Sequence, residues 1–192
     1  MAATTPFSQL TGVVQVFIAP YGESIPDVDT TPAGNWYELG STDGEQSVKF
    51  GGKPVWFRDN DHQGPVVGIR PEEDVSFKFR IVDLTLENWA RVVSNVSKIV
   101  TGTTTLGANT KKLPVKRGSV LVEYALIFRG SAISPYGAYP GQFVFPRIML
   151  GSEPEIKAAK NARWYLDVDG MVLEDDNQSE DDRMGWLIVK TS

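Results

Sequence analysis

A mainly β fold carrying one flanking helix is predicted by three features of this chain. Residues Val75–Leu84 (VSFKFRIVDL) alternate apolar and polar, the pattern of a strand with one face in the core. Residues Val120–Phe128 (VLVEYALIF) form the most apolar run, which predicts a central strand. Only Thr85–Asn95 (TLENWARVVSN) repeats its apolar residues at helical spacing. A single helix among many strands does not fit an enzyme built from repeating βαβ units.

Taken in order, residues 1–12 read as an N-terminal arm that is free or docks on a neighbour. Val13–Ala19 is β-branched and reads as a strand ending at Pro20. Residues 20–35 are rich in Pro, Gly and Asp and read as a loop, with Trp36–Leu39 a short strand after it. Asp43-Gly44 signals a turn, and Gln46–Phe50 another strand. Between about residues 40 and 71 a long loop is expected, because Arg58–Pro65 (RDNDHQGP) offers almost nothing to bury. Trp56 and Phe57, beside Pro54, argue that part of it packs against something. In the helix, Thr85 is the expected N-cap, Leu84 the staple residue and Glu87 a first-turn acid. Leu86, Trp89, Ala90 and Val93 form the core-facing stripe. Beyond it, a short strand is expected near Lys111–Leu113. Gln142–Met149 reads as a strand with an edge or bulge at Pro146. Glu153–Asn161 has room for a helical turn, Arg163–Val168 alternates as a strand, Asp169-Gly170 reads as a turn, and Met184–Val189 is expected to close the sheet.

The chain has 192 residues, enough for one core, and a single domain over 1–192 is expected. It has no cysteine, which excludes a disulfide framework and Cys-ligated zinc. The start, MAATTPFSQL, has neither a basic region nor a long apolar core, so no signal peptide is expected. No apolar run reaches the roughly 20 residues needed to span a bilayer as a helix, and no membrane insertion is expected. The net charge of −5 is concentrated in 167–183, where Asp167, Asp169, Glu174, Asp175, Asp176, Glu180, Asp181 and Asp182 face a single base. Such a segment suits a solvated loop, or a surface that repels DNA or meets a basic partner.

Catalytic chemistry finds little support. His62 is the only histidine, and Asp59-Asn60-Asp61-His62 reads as a polar loop rather than a converging metal or acid–base site. Asp167-Val168-Asp169-Gly170 lacks the spacing of a calcium loop, and Gly102-Thr103-Thr104-Thr105 lacks the lysine of a phosphate loop. Lys111-Lys112 and Lys116-Arg117 make a small basic patch suited to an acidic protein surface. No cofactor, catalytic residue or metal ligand is assigned.

Several stretches together resemble the tail tube (major tail) proteins of long-tailed, siphophage-type bacteriophages. They are Gly34–Gly40 (GNWYELG), the Asp43-Gly44 turn, Gln46–Phe50, Gly64-Pro65-Val66, and Val75–Trp89 with its Leu84-Thr85-Leu86-Glu87-Asn88 junction. The resemblance implies a β-sandwich or barrel-like subunit with one flanking helix at about 85–95. It implies hexameric rings stacked into a tube that conducts DNA, with no enzymatic activity, in the virion of a phage and made in the host cytoplasm. The 40–71 loop, including Trp56, Phe57, Arg58, Asp59, Asp61 and His62, would then reach the next ring. A strand face of Ser76, Lys78 and Arg80 would look into the bore, and the acids of 167–183 are candidates for a lumen over which DNA slides without specific binding. Implied partners are further copies of the chain, a tape-measure protein and a tail terminator. A head–tail joining, terminator or capsid-decorating protein is the alternative within the structural class. A monomeric β-sandwich glycan-binding module using Trp36, Trp56 and Tyr136 is the alternative from another class.

Overall fold

The computed structural model describes residues 14–102, 109–115, 121–131, 134–151, 154–157, 160 and 163–191. The N-terminal arm of 1–12 and the Lys116-Arg117 half of the basic patch lie outside these residues. In chain order the elements are β1 (Val14–Pro20), β2 (Tyr37–Glu38), β3 (Ser47–Phe50), β4 (Val55–Phe57), β5 (Val67–Ile69), β6 (Val75–Ile81), α1 (Leu86–Val92), β7 (Val100–Thr101), β8 (Lys111–Lys112), β9 (Glu123–Gly130), β10 (Gly141–Met149), β11 (Glu155–Lys157), β12 (Tyr165–Val172) and β13 (Trp186–Val189). The main sheet runs β2-β1-β9-β10-β12-β6-β3, entirely antiparallel along that path, with β11 added to β12 and β13 to β10. The result is mainly β and sandwich-like, with one short flanking helix.

The sheet curls until its ends meet. Residues 37–50 perform the closure. At their start, β2 pairs with β1 and the Leu39 N–H donates to Val16 O at 2.9 Å. Further on, Thr42 bridges Ile81, the Asp43 N–H donates to Arg80 O and β3 pairs with β6. The chain changes partner at Gly40, whose φ of +84° suits glycine. Just beyond it the Asp83 carboxylate accepts the Ser41 N–H at 2.7 Å. So the sheet is closed by this early segment and not by the C-terminal strand, which instead extends the β10 edge. The expected Asp43-Gly44 turn is a bulge in the closing segment, with β6 along one side of it throughout.

Phe77, Phe79, Phe128 and Phe145 fill the interior with ring centroids 5.7 to 6.3 Å apart. Val16, Ile18, Leu39, Ile81, Leu126, Ile148, Leu166 and Val168 complete this cluster. The predicted alternation of β6 is realised, with Val75, Phe77, Phe79 and Ile81 all buried. A second, smaller layer lies on the other face of β1, β9 and β10, where Phe17, Ala19, Ala125, Ile127 and Val144 are covered by Trp36 and Ile25 from the 20–36 loop. That is why β1 and β9 read as continuous apolar runs: both faces are buried. Trp36 is therefore a buried lid residue rather than a strand residue, and its indole N–H donates to Ser24 O at 2.9 Å.

Arg129 fastens this loop to the barrel. Its guanidinium donates to Gln142 Oε1 at 2.9 and 2.5 Å, to Asp27 O at 2.8 Å and to Thr30 O. Gln142 in turn donates to Pro26 O at 3.1 Å. Burial lowers the Arg129 pKa, opposed by the Asp27 and Asp29 carboxylates.

Elsewhere the strands differ from expectation in identifiable ways. Leu121 and Val122 lie outside β9, which starts at Glu123 and runs on to Gly130. The helical turn allowed within 153–161 is instead β11, because an edge of β12 is open to pair with it. Asp169-Gly170 is not a turn: β12 continues to Val172, with Gly170 opposite Phe77. A Cβ on Gly170 would lie 2.5 Å from both the Met149 carbonyl oxygen and the Phe77 ring, so only glycine fits between the β10 backbone and this core aromatic. Pro146 does sit in a bulge, between Phe145 and Ile148, where β10 ends its pairing with β13 and turns to β12.

The helix starts as expected, with Thr85 Oγ1 accepting the Asn88 N–H at 3.2 Å. Ala90 and Val93 are buried and Leu86 and Trp89 half-buried, and Val92 and Asn88 are buried too. Asn88 Nδ2 donates to Leu39 O and Asp83 O, both at 3.0 Å, tying the helix to the closing segment. It ends at Val92, earlier than Asn95, as Ser94 adopts φ +59°.

Candidate functional site

Two surfaces collect the residues singled out from sequence. The first is an arm between β3 and β6. Phe50 pairs with Val75, and the Gly51 N–H donates to Asp74 O at 2.5 Å, so the chain leaves and re-enters the barrel at one narrow neck. Beyond the neck, β4 and β5 form a separate two-stranded ribbon in the register Val55↔Ile69, Trp56↔Gly68, Phe57↔Val67. Residues 53–74 are all exposed. The long loop expected from about 40 is thus a ribbon starting only at the neck, since residues 41–50 belong to the barrel wall.

Strand alternation gives the ribbon two faces. Val55, Phe57, Val67 and Ile69 share one, at 44%, 51%, 52% and 49% exposure. Trp56 takes the other, its indole lying across Gly68, where any Cβ would collide with it. Beyond the Trp56 indole on Gly68, both aromatics stay largely exposed, Trp56 at 61% and Phe57 at 51%. A two-stranded ribbon apolar on both faces is marginal alone in water, and contiguous exposed apolar surface marks an interaction site. At the tip, Asp59 accepts the His62 N–H at 2.9 Å and also contacts His62 Nδ1 at 2.8 Å. This is a local turn holding Arg58, Asp59, Asp61 and His62 in solvent. Among the described residues no group of His, Asp and Glu is placed to hold a metal ion.

The second surface is the outer face of β3, β6 and β12. Ser76, Lys78 and Arg80 point away from the core, as expected from the alternation. The register then places Lys78 opposite Asp169 and Arg80 opposite Asp167. Arg80 Nε donates to Asp167 Oδ1 at 2.7 Å, and its guanidinium stacks on Tyr165 at 3.9 Å. The hydrogen bond to Asp167 raises the Arg80 pKa. The face is therefore of mixed charge and lines a shallow depression of about 460 Å³ with Glu45 and Glu155.

The acidic segment of 167–183 is not one loop. Asp167 and Asp169 belong to β12 on this mixed face. Asp175 is 2% exposed and accepts from Tyr21 Oη at 2.7 Å, Asn177 N and Nδ2 at 3.1 Å, and Gln178 Nε2 at 3.3 Å. Burial pushes its pKa up, but these hydrogen bonds together outweigh that and hold it below the ordinary value. Glu174, Asp176, Glu180 and Asp181 are exposed and Asp182 half-exposed. Nothing in the sequence separated Asp175 from its acidic neighbours, because Tyr21 lies in a different part of the chain. Of the aromatics considered for glycan stacking, Trp36 is buried, leaving Trp56 and Tyr136 exposed on separate elements.

No protein-family model and no curated protein sequence matches the chain. Among solved structures it is similar to a chain from the tail of an empty GTA particle, computed with helical refinement in C6 symmetry. The two share 11% sequence identity with a TM-score of 0.41, over 89% of this chain and 95% of that one.

Proposed function

We propose that this protein is a structural subunit that assembles with copies of itself, as the tail tube protein of a long-tailed phage-type particle. The observation that carries the reading is the arm: a ribbon apolar on both faces, held out from a complete barrel by a single neck. A barrel whose own core is already closed gains nothing from such a ribbon unless another molecule covers it. The sequence resemblance running through the closing segment, β6 and the start of α1 supplies the kind of assembly. In this reading six copies form a ring and the arm bridges to the next ring. The β6 face with Ser76, Lys78 and Arg80 lines the bore, and its balance of Lys78 and Arg80 against Asp167 and Asp169 keeps passing DNA from sticking. A tape-measure protein inside and a terminator at the end complete the partners, and the role is mechanical rather than enzymatic.

Negative-stain electron microscopy across a concentration series tests this. Rings or hollow tubes of uniform width are the expected result for the intact chain. Replacing residues 52–73 by a short turn, which the neck geometry permits, should leave a folded barrel that no longer stacks. Long tubes formed by that variant would refute the bridging role of the arm.

A further inference from the structure

The direction of the strands fixes where the arm sits relative to everything else. Successive antiparallel pairings β1-β9-β10-β12-β6 make β1 and β6 run the same way. The arm precedes β6 and so leaves the barrel at the end where these two strands start. At the opposite end, where β1 finishes and the chain passes from β6 through α1, there is an open groove of about 330 Å³. Its walls include Ala19 and Pro20 from the end of β1, Val122 and Tyr124 from the start of β9, and Val96 just after α1.

The groove has the complementary character to the arm. Its lining is predominantly apolar, with Val96 43% and Val122 40% exposed and Tyr37 exposed at its rim. The cation at the rim is Arg91, whose guanidinium stacks on Tyr37 at 4.0 Å. Exposed Lys98 follows the Ser97 wall, and Lys112 lies exposed on the β7–β8 hairpin that comes next in the chain. At its tip the arm carries Asp59 and Asp61 against Arg58, while Glu72, Glu73 and Asp74 lie back at the neck.

From this arrangement we infer that the groove between the end of β1 and the end of α1 is the receptor for the arm of a second copy. The Trp56–Phe57 end of the ribbon enters the apolar groove while the tip carboxylates meet Arg91 and Lys98. Donor and receptor lie on opposite ends of one subunit, so the contact is head-to-tail and cannot close on itself in a pair. Repetition produces a filament with a single polarity. This deepens the proposed function, and rests on it, by naming the surface that receives the arm.

The absence of cysteine allows a direct test. One preparation carries Arg58→Cys at the arm tip and another Ser97→Cys in the groove wall; they are mixed under assembling conditions and oxidised gently. A control mixture pairs Arg58→Cys with Thr31→Cys, on the exposed part of the 20–36 loop. The expected result is a covalent dimer in the first mixture and its loss in the control, since a disulfide requires Cα atoms closer than about 7 Å. In parallel, Arg91→Glu should abolish stacking, and combining it with Asp59→Lys and Asp61→Lys should restore it. Assemblies that form without the Arg58–Ser97 cross-link, and whose stacking survives Arg91→Glu, would overturn this receptor while leaving the tube reading intact. No assembly at any concentration, by the unmodified chain, would overturn both.

Discussion

The apolar faces of β6 and of the β4–β5 ribbon are built from the same residue types, Val, Phe and Ile, and end in opposite environments. β6 places Val75, Phe77, Phe79 and Ile81 at 6%, 1%, 2% and 0% exposure. The ribbon places Val55, Phe57, Val67 and Ile69 near half exposure. Apolar content does not distinguish them; the number of layers around them does. β6 has β12 and β3 on its edges and a phenylalanine cluster beneath it. Among the described residues the ribbon has one strand pairing, β4 with β5. In physical terms β6 buries its apolar face within the barrel, whereas the apolar face of the arm stays about half exposed, the kind of surface that marks an interaction site.

The contrast is broken most severely from the barrel side. Phe77→Ala removes the centre of the aromatic cluster and is expected to cost about 3–5 kcal/mol, read as a lower urea midpoint. Gly170→Ala inserts a methyl group against the same ring and should cost about 1–3 kcal/mol. If its urea midpoint were unchanged, the close approach of the Phe77 ring and the Met149 carbonyl to Gly170 would be wrong. Thr85→Ala removes the helix cap and is expected to cost about 1 kcal/mol, again by urea titration.

Proton linkage gives a milder test, at Asp175. Its folded-state pKa is depressed, so its contribution is fully present above the ordinary carboxylate range. That contribution is lost as pH falls through the lowered folded value, where the native state must take up the proton. Asp175→Asn should therefore flatten the acid limb of a stability–pH profile and leave the slope near neutral pH as it was. A variant whose acid limb stayed as steep as that of the unmodified chain would remove Asp175 from that role.

The smallest effect on folding is expected on the arm. Phe57→Ser and Ile69→Ser should change the urea midpoint by no more than about 0.5 kcal/mol equivalent. The same substitutions should eliminate tubes in negative stain. Large destabilisation by either would show that the ribbon packs on its own barrel, and the contrast drawn above would vanish.

Much of the barrel was legible because its strands state their environment locally. β6 alternates, β1 stops at Pro20 and β10 bulges at Pro146, and each signal acts within a few residues. Thr85 and the Leu86–Val93 stripe marked the helix for the same reason. The misread places depend on distant partners. Asp-Gly at 169–170 has the chemistry of a turn, yet the Phe77 ring needs that glycine inside a strand. The closure at Gly40 depends on β1 and β6 being neighbours of one segment, which no window of sequence reveals. The candidate surfaces were legible as composition and not as geometry. Trp56 and Phe57 announced an interaction, but their opposite faces follow from pairing with Gly68 and Val67. Lys78 and Arg80 were expected to face outward, while the register that sets them opposite Asp169 and Asp167, far along the chain, joins a basic strand and an acidic segment in one surface of mixed charge.

The neck at Gly51 and Asp74 separates two design problems. Because Phe50 is already paired with Val75, the curvature and stagger of the barrel are set before the arm begins. Whatever is spliced between these residues inherits a finished platform and returns to it in phase. Reach is thus an adjustable length, and the arm is an exchangeable part: lengthening, shortening or transplanting it changes which neighbour is touched without reopening the question of how the subunit folds.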